Sequence, residues 1–461
     1  MTRLIAFSVL IFLGFGSIAQ REFASIQLPY KNINSYWVVP DGTGGVCIQY
    51  FKKPYLYFDI ISSSGEKLAQ IKEPFKYSPE VVGGTFSGGS YRFYYKPRKV
   101  KKEGGLAVMV VDIHEQSFKG FDNYFLKSSN AEELIGRIEM GSDFLTIHNI
   151  RGSGLIRTTI LRDKEPLKND FTVPASISHA FNNSDPIVLI DPIAPKSIYG
   201  MQWSKKLYYT DDEIIFTFDL KDQFKTFIWK INPRLGTSEL KTIPGEKMVF
   251  GKGYNSFLFK NHLYRWTVDD VKIDLTVYDL RTEKAVQNFN HNGEALISFK
   301  SGPPILIDEF GTIQRLTDIR NEKLFKTFSN GNASVFVDQI NRNNVKVTMG
   351  AFNQSSTGLT IGGGFGSFGG RGGVALGGSK QLTGTRRGST FIESFLNSPG
   401  LEPVKNDGFL TLNERIIKFF RNRGVDVYNS NAIAYDYADD IVHVAYIDRG
   451  VEQLKIVEFI K

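Results

Sequence analysis

Apolar and polar residues alternate in short runs along most of the chain, and the runs come in pairs joined by polar turns. The clearest pair is 271–289 (VKIDLTVYDLRTEKAVQNF), where Ile273, Leu275 and Val277 alternate with Lys272, Asp274 and Thr276 before the turn DLRTE. A period of two puts the two classes on opposite faces of a pleated strand. The same hairpin pattern returns at 106–118, 155–167, 226–240, 390–404 and 441–459. Residues 36–71 hold a full set of four such runs, with turns at PDGTGG and SSSGE. Four short strands joined by tight turns make one antiparallel sheet, and each hairpin reads as the last two strands of such a set.

Helical competition is weak. Residues 413–421 (NERIIKFFR) predict a short helix, but no long segment has a 3.6 period, and Gly and Pro punctuate the chain throughout. The Pro- and Asp-rich stretch 178–200 reads as a loop between the third and fourth units. A longer excess before residue 390 holds a glycine-rich stretch and a degenerate hairpin, 305–316 (ILIDEFGTIQRL).

Several hairpins lie about 50 residues apart, the period of four-stranded blades. The count is seven units, with eight as the main alternative and six as a third. Across residues 20–461 this pattern resembles the β-propeller superfamily. The resemblance implies an all-β fold of four-stranded antiparallel blades in a single domain, since radial packing buries both faces of each small sheet and shelters its edges. No WD dipeptide or kelch double-Gly motif accompanies it, so the resemblance implies an architecture and no activity.

The N-terminal 19 residues change the setting. Arg3, an apolar run from Leu4 to Phe15 and the small residues Ser17 and Ala19 read as a secretory signal peptide cleaved before Gln20. The expected location is therefore periplasmic, cell-surface or extracellular, with no transmembrane anchor after cleavage. The lone Cys47 sits in the apolar run VCIQYF and reads as a core residue, so the core and strand pairing hold the fold without an internal disulfide. A formal charge of +8 favours anionic partners, and export removes nucleic acid from them.

Two segments stand out as candidate binding elements, both placed between the second and third strands of their units. One is the basic loop with Arg98, Lys99, Lys101 and Lys102. The other is the insert at about 353–389, whose Phe365 and Phe368 offer apolar contacts and whose Arg371, Arg386 and Arg387 offer charge. At this glycine density a spacer is the plain alternative, because ordering glycine costs the most backbone entropy. GFGSFG matches a dinucleotide fingerprint formally, but no helix follows it, so no cofactor is assigned. Three Asp pairs, Asp211-Asp212, Asp269-Asp270 and Asp439-Asp440, precede apolar strands. Asp is a common turn former, and the turn reading is preferred there to Ca²⁺ binding or acid–base work. The six histidines are dispersed, and there is no P-loop, G-x-S-x-G elbow or Cys pair.

These features favour an exported, non-catalytic propeller acting through loops on one face, with an envelope protein or a polysaccharide as partner. The rival is a secreted hydrolase or lyase with a channel-mouth site of carboxylates and the aromatics Trp203, Trp229 and Trp266.

Overall fold

The computed structural model describes residues 20–460 apart from 29–32, 34, 97–105, 125–130, 162–164, 246–252, 309–310, 355–373, 376–386, 399, 406–407, 409, 425–432 and 439–440. Seven sheets of four or five strands follow one another along the chain. Blade 1 runs in simple antiparallel order through Tyr36–Pro40, Val46–Lys52, Tyr55–Ile61 and Lys67–Pro74. Blades 2 to 7 occupy residues 80–124, 132–172, 205–244, 253–292, 332–397 and 433–460. The first strands of neighbouring blades touch: Tyr36–Pro40 meets Glu80–Ser87, which meets Glu132–Met140, and Gly253–Phe259 meets Asn332–Asn341. The chain is a seven-bladed β-propeller.

Both faces of each sheet are apolar because both are covered by neighbours. Phe58 of blade 1 lies 5.4 Å from Phe93 of blade 2, and Tyr94 of blade 2 stacks on Phe144 of blade 3 at 4.2 Å. Cys47 is fully buried between blades 1 and 2, as its apolar strand implies.

The ring closes through the chain's beginning. Gln20–Gln27 pairs antiparallel with Gln453–Ile460, from Gln20 opposite Phe459 to Gln27 opposite Gln453. Phe23, Ala24 and Ile26 pack with Leu454 and Ile456 and with Tyr50 and Tyr57 of blade 1. Residues 441–459 thus supply the second and third strands of blade 7, one position inward of the sequence reading. The outer strand lies more than 400 residues away in the chain, Ser25 to Gln453 being separated by 428, and hairpin periodicity says nothing about such a partner.

Blade 6 departs from the pattern in a second way. The hairpin 305–316 forms, but as an outer edge and not as an extra blade: Ile305–Ile307 pairs with residues 389–391, and Ile313–Arg315 pairs outside it. After Asn397 the chain turns back with only a bridge between Leu396 and Pro403. Proline lacks the N–H that a ladder needs, so the sequence 390–404 cannot complete the blade by itself.

Among the described residues four α-helices fill the crossovers: α1 (Ala175–Asn182), α2 (Ile198–Met201), α3 (Asn321–Ser329) and α4 (Leu412–Asn422). Only α4 was foreseen. Thr411 and Glu414 form a capping box at its start, and Ile416, Phe419 and Phe420 pack on Val442, Val444 and Phe459 of blade 7.

Candidate binding face

In an antiparallel blade the turn between strands one and two shares an end with that between strands three and four. The connection between strands two and three shares the other end with the crossover to the next blade. The first end carries tight turns, such as 41–45, 88–89, 210–213, 233–236, 260–261 and 280–283, and the start of one long connection, 398–432 with α4, which leaves blade 6 at Asn397 opposite Asn344. The other long connections fall at the second end: 97–105, 355–386, and the crossovers 173–204 and 293–331 with α1, α2 and α3. The second end is therefore the more decorated face, and the first is bare apart from the place where 398–432 leaves blade 6.

The crossover 173–204 governs the axis. Ile187–Leu189 adds to the axial edge of blade 4, parallel to Lys205–Tyr209. The chain then reaches blade 6, where Lys196 pairs with Asp338 at 3.1 Å and Gln202 accepts from Asn332 at 2.7 Å. Tyr199 meets Phe352 there with ring centroids 4.7 Å apart, and Ile193 inserts beside α4. This strap occupies the axial side of blades 4, 5 and 6 with the protein's own residues.

Beneath the strap lies a sealed polar network that the sequence did not reveal. Lys206 donates to Trp203 O at 2.8 Å and Asn255 Oδ1 at 3.2 Å, and its Nζ stands 3.8 Å from Asp219 Oδ2. Asp219 accepts from Ser256 N and Oγ, both at 2.7 Å, and from Thr226 Oγ1 at 2.9 Å. Asn255 Oδ1 also takes the amide of Val335 in blade 6 at 3.3 Å. Burial lowers the Lys206 pKa to about 8, against the attraction of Asp219. With no exposed surface, this group ties three blades together and meets no ligand.

A second charged cluster seats α4. Lys346 of blade 6 contacts Glu414 at 2.7 Å and Glu393 at 3.2 Å. Burial works against its charge, but these carboxylates outweigh that and raise its pKa.

An open groove of about 980 Å³ lies where the 305–316 hairpin meets α3. Leu306, Leu316 and Ile319 give it apolar lining, and Arg315, Arg320, Lys323 and Lys326 give it positive charge. Asp318 and Glu322 are also on its wall, Glu322 held by Lys326 at 2.6 Å, and the four cations outnumber these two carboxylates. Thr390, three residues past the glycine-rich insert's last candidate Arg387, lines the same groove. A sequence signal for α3 existed: Leu324, Phe325 and Phe328 are buried at helical spacing.

The residues singled out from sequence fare unevenly. Arg98, Lys99, Lys101, Lys102, Phe365, Phe368, Arg371 and Arg386 lie outside the described residues, as does the side chain of Arg387, whose backbone pairs with Gln354. Trp229 and Trp266 are fully buried core residues, so these two indoles line no channel mouth, and Trp203 is half-buried. Asp269 is a turn former, its Oδ1 accepting from Val271 N at 2.8 Å and Lys272 N at 2.7 Å. Asp212 receives Arg234, and Asp270 receives Ser329 Oγ. Asp439-Asp440 lies outside the described residues. Among the described residues no three His, Cys, Asp or Glu side chains gather as a metal site. His148 and His443 are buried in strands, and burial lowers the pKa of both, that of His443 to about 3.

No family model and no curated protein matches the sequence. Solved structures resemble parts of it at low identity. The Dos1 propeller is 13% identical, with 59% of this chain and 63% of that one covered and a TM-score of 0.26. An uncharacterized protein of Listeria monocytogenes is also 13% identical, with 59% and 70% covered and a TM-score of 0.27. A Synechocystis apocarotenoid oxygenase is 8% identical, with 56% and 61% covered and a TM-score of 0.28. This chain thus spans less than two thirds of the Dos1 propeller and of the oxygenase. The fold rests on the order and closure of the sheets, and these likenesses assign no activity.

Proposed function

We propose that this protein is an exported binding propeller that engages an envelope protein or a polysaccharide through its decorated face, in a non-catalytic role. The observation that carries the reading is the concentration of four long connections, 97–105, 173–204, 293–331 and 355–386, at one end of the blades, opposite a face of tight turns from which 398–432 departs. Recognition residues concentrate on loops held by a rigid scaffold, and a propeller is such a scaffold. The positive groove and the formal charge of +8 favour a partner with an acidic surface. The residue pattern of the first 19 positions supports the secretory part of this reading.

The buried thiol of Cys47 makes a direct test available, because an introduced cysteine is then the reactive one. Asn330→Cys places a thiol on the decorated face, and Leu235→Cys places one on the bare face, where Leu235 is 74% exposed. Each is coupled to a large maleimide polymer, and binding to an isolated envelope fraction is measured by sedimentation. The reading expects the polymer at 330 to weaken binding by at least about tenfold, or 1.4 kcal/mol, and the polymer at 235 to leave it unchanged. Loss of binding from position 235 alone would reverse the assignment of faces.

A further inference from the structure

The outermost strand of blade 6, Ile313–Arg315, has no strand paired on its outer side among the described residues, and it lies beside the positive groove. The ladder pattern says which of its groups face outward. Asp308 N donates to Thr312 O at 3.1 Å, and Leu316 N donates to Pro304 O at 2.7 Å. Residues 312 and 316 therefore belong to hydrogen-bonded pairs, and so does Gln314, by alternation. Ile313 and Arg315, opposite Ile307 and Ile305, fall in the non-bonded positions, and their N–H and C=O groups point away from the blade. All three strand residues are exposed, Ile313 to 68%.

We infer that this edge and the adjoining groove form a docking site for an extended acidic peptide segment of a partner protein, added as a further strand of blade 6. The inference rests on the one-face reading above and names the partner chemistry of that face. Three observations converge on it. The outward amides and carbonyls of Ile313 and Arg315 offer main-chain bonds at strand spacing, which suits a polypeptide and has no counterpart in a sugar chain. Leu306, Leu316 and Ile319 give apolar contact for side chains on one face of the added strand. Arg315, Arg320 and Lys323 supply positive charge, while Lys326 is engaged with Glu322. The same charge argues against occupation by the glycine-rich insert, which carries Arg371, Lys380, Arg386 and Arg387 and would be repelled.

The test uses a fluorescein-labelled peptide of alternating Glu and Val, an uncharged peptide of alternating Ser and Val, and polygalacturonate as an acidic sugar chain. Binding is followed by anisotropy for the peptides and by competition for the sugar, across a salt series. Two variants are compared with wild type. Arg315→Gln with Arg320→Gln and Lys323→Gln removes three exposed cations. Ile313→Pro removes an outward N–H, at a position where an edge strand tolerates proline. Thermal unfolding checks that each variant keeps the fold.

The acidic peptide should bind wild type better than the uncharged one. The triple variant should weaken it by at least about tenfold at low salt and flatten its salt dependence. Ile313→Pro should weaken it as well, without altering the salt slope. Equal binding of peptide and polygalacturonate, with Ile313→Pro inert, would overturn strand addition and leave a charge site for polysaccharide. No peptide binding to wild type would overturn the site itself. If that failure accompanied an envelope interaction still blocked at position 330, the one-face reading would stand without this ligand; loss of both dependences would remove both.

Discussion

The Nζ of Lys206 stands 3.8 Å from Asp219 Oδ2, with the two side chains only 0% and 1% exposed. They lie on adjacent strands of blade 4, and two of their other partners, Asn255 and Ser256, come from blade 5. The pair is thus part of the joint between blades. Asp219→Ala would leave a buried cation without its counter-charge, and the N–H and hydroxyl of Ser256 without their acceptor. The expected loss is about 3–5 kcal/mol by urea unfolding, and adding Lys206→Met should restore much of it.

Lys206 also gives a pH signature. Its pKa is about 8 in the folded protein and 10.5 in the unfolded chain. Between those values the unfolded chain holds more protons, so this group makes stability rise with pH, by about 3 kcal/mol in all. Its favourable contribution is complete above the unfolded value and is lost as pH falls through 8. The difference in unfolding free energy between wild type and Lys206→Met, measured from pH 7 to 10.5, isolates the effect. A difference independent of pH would contradict it.

His443 sets an acid limit by the same logic. Burial holds its pKa at about 3 against the ordinary 6.5, with its ring 4.4 Å from that of Phe23 on the closing strand. Its contribution is present above pH 6.5 and is lost as pH falls toward 3, because the unfolded chain takes up the proton first. His443→Phe should therefore lose less stability than wild type between pH 6.5 and 4 in parallel urea titrations.

Ring closure is open to a core truncation. Ile26, 5% exposed, faces Leu454 on the strand it joins. Ile26→Ala should cost about 2–4 kcal/mol, and Ser25→Ala, on the exposed side, less than about 0.5 kcal/mol. Similar costs for both would mean that Gln20–Gln27 is not a working part of blade 7.

Gly350 marks a tight approach within blade 6. A Cβ there would stand 2.1 Å from Thr390 O and 2.6 Å from Phe391 Cα. The neighbours are backbone and cannot turn aside. Gly350→Ala should destabilise the protein by about 3 kcal/mol and, by parting the strands that hold residues 305–307, should weaken the adjoining groove as well.

Local pattern made the blades legible, and its reach ended where partners are distant. The hairpin 271–289 was plain because alternation is a property of neighbours in sequence. The outer strand of blade 7 was missed because Gln20–Gln27 finds its partner at the other end of the chain. The hairpin 305–316 was found but placed as a separate candidate unit, since only Pro403 hinted that blade 6 lacked a full fourth strand of its own. Lys206, Asp219 and Asn255 sit on three strands and meet only when the ring forms, so no spacing announces them. The groove fell between these cases. Its hairpin was seen, but the helix carrying Lys323 and Lys326 was passed over because α3 is only nine residues long.

The central claim, recognition through one face, is tested most directly by hydrogen–deuterium exchange of the full protein with and without a saturating envelope fraction. The account predicts added protection in 311–330 and in the other connections of the decorated face, with no change in the turns 233–236 and 280–283. Protection confined to those bare-face turns would contradict it.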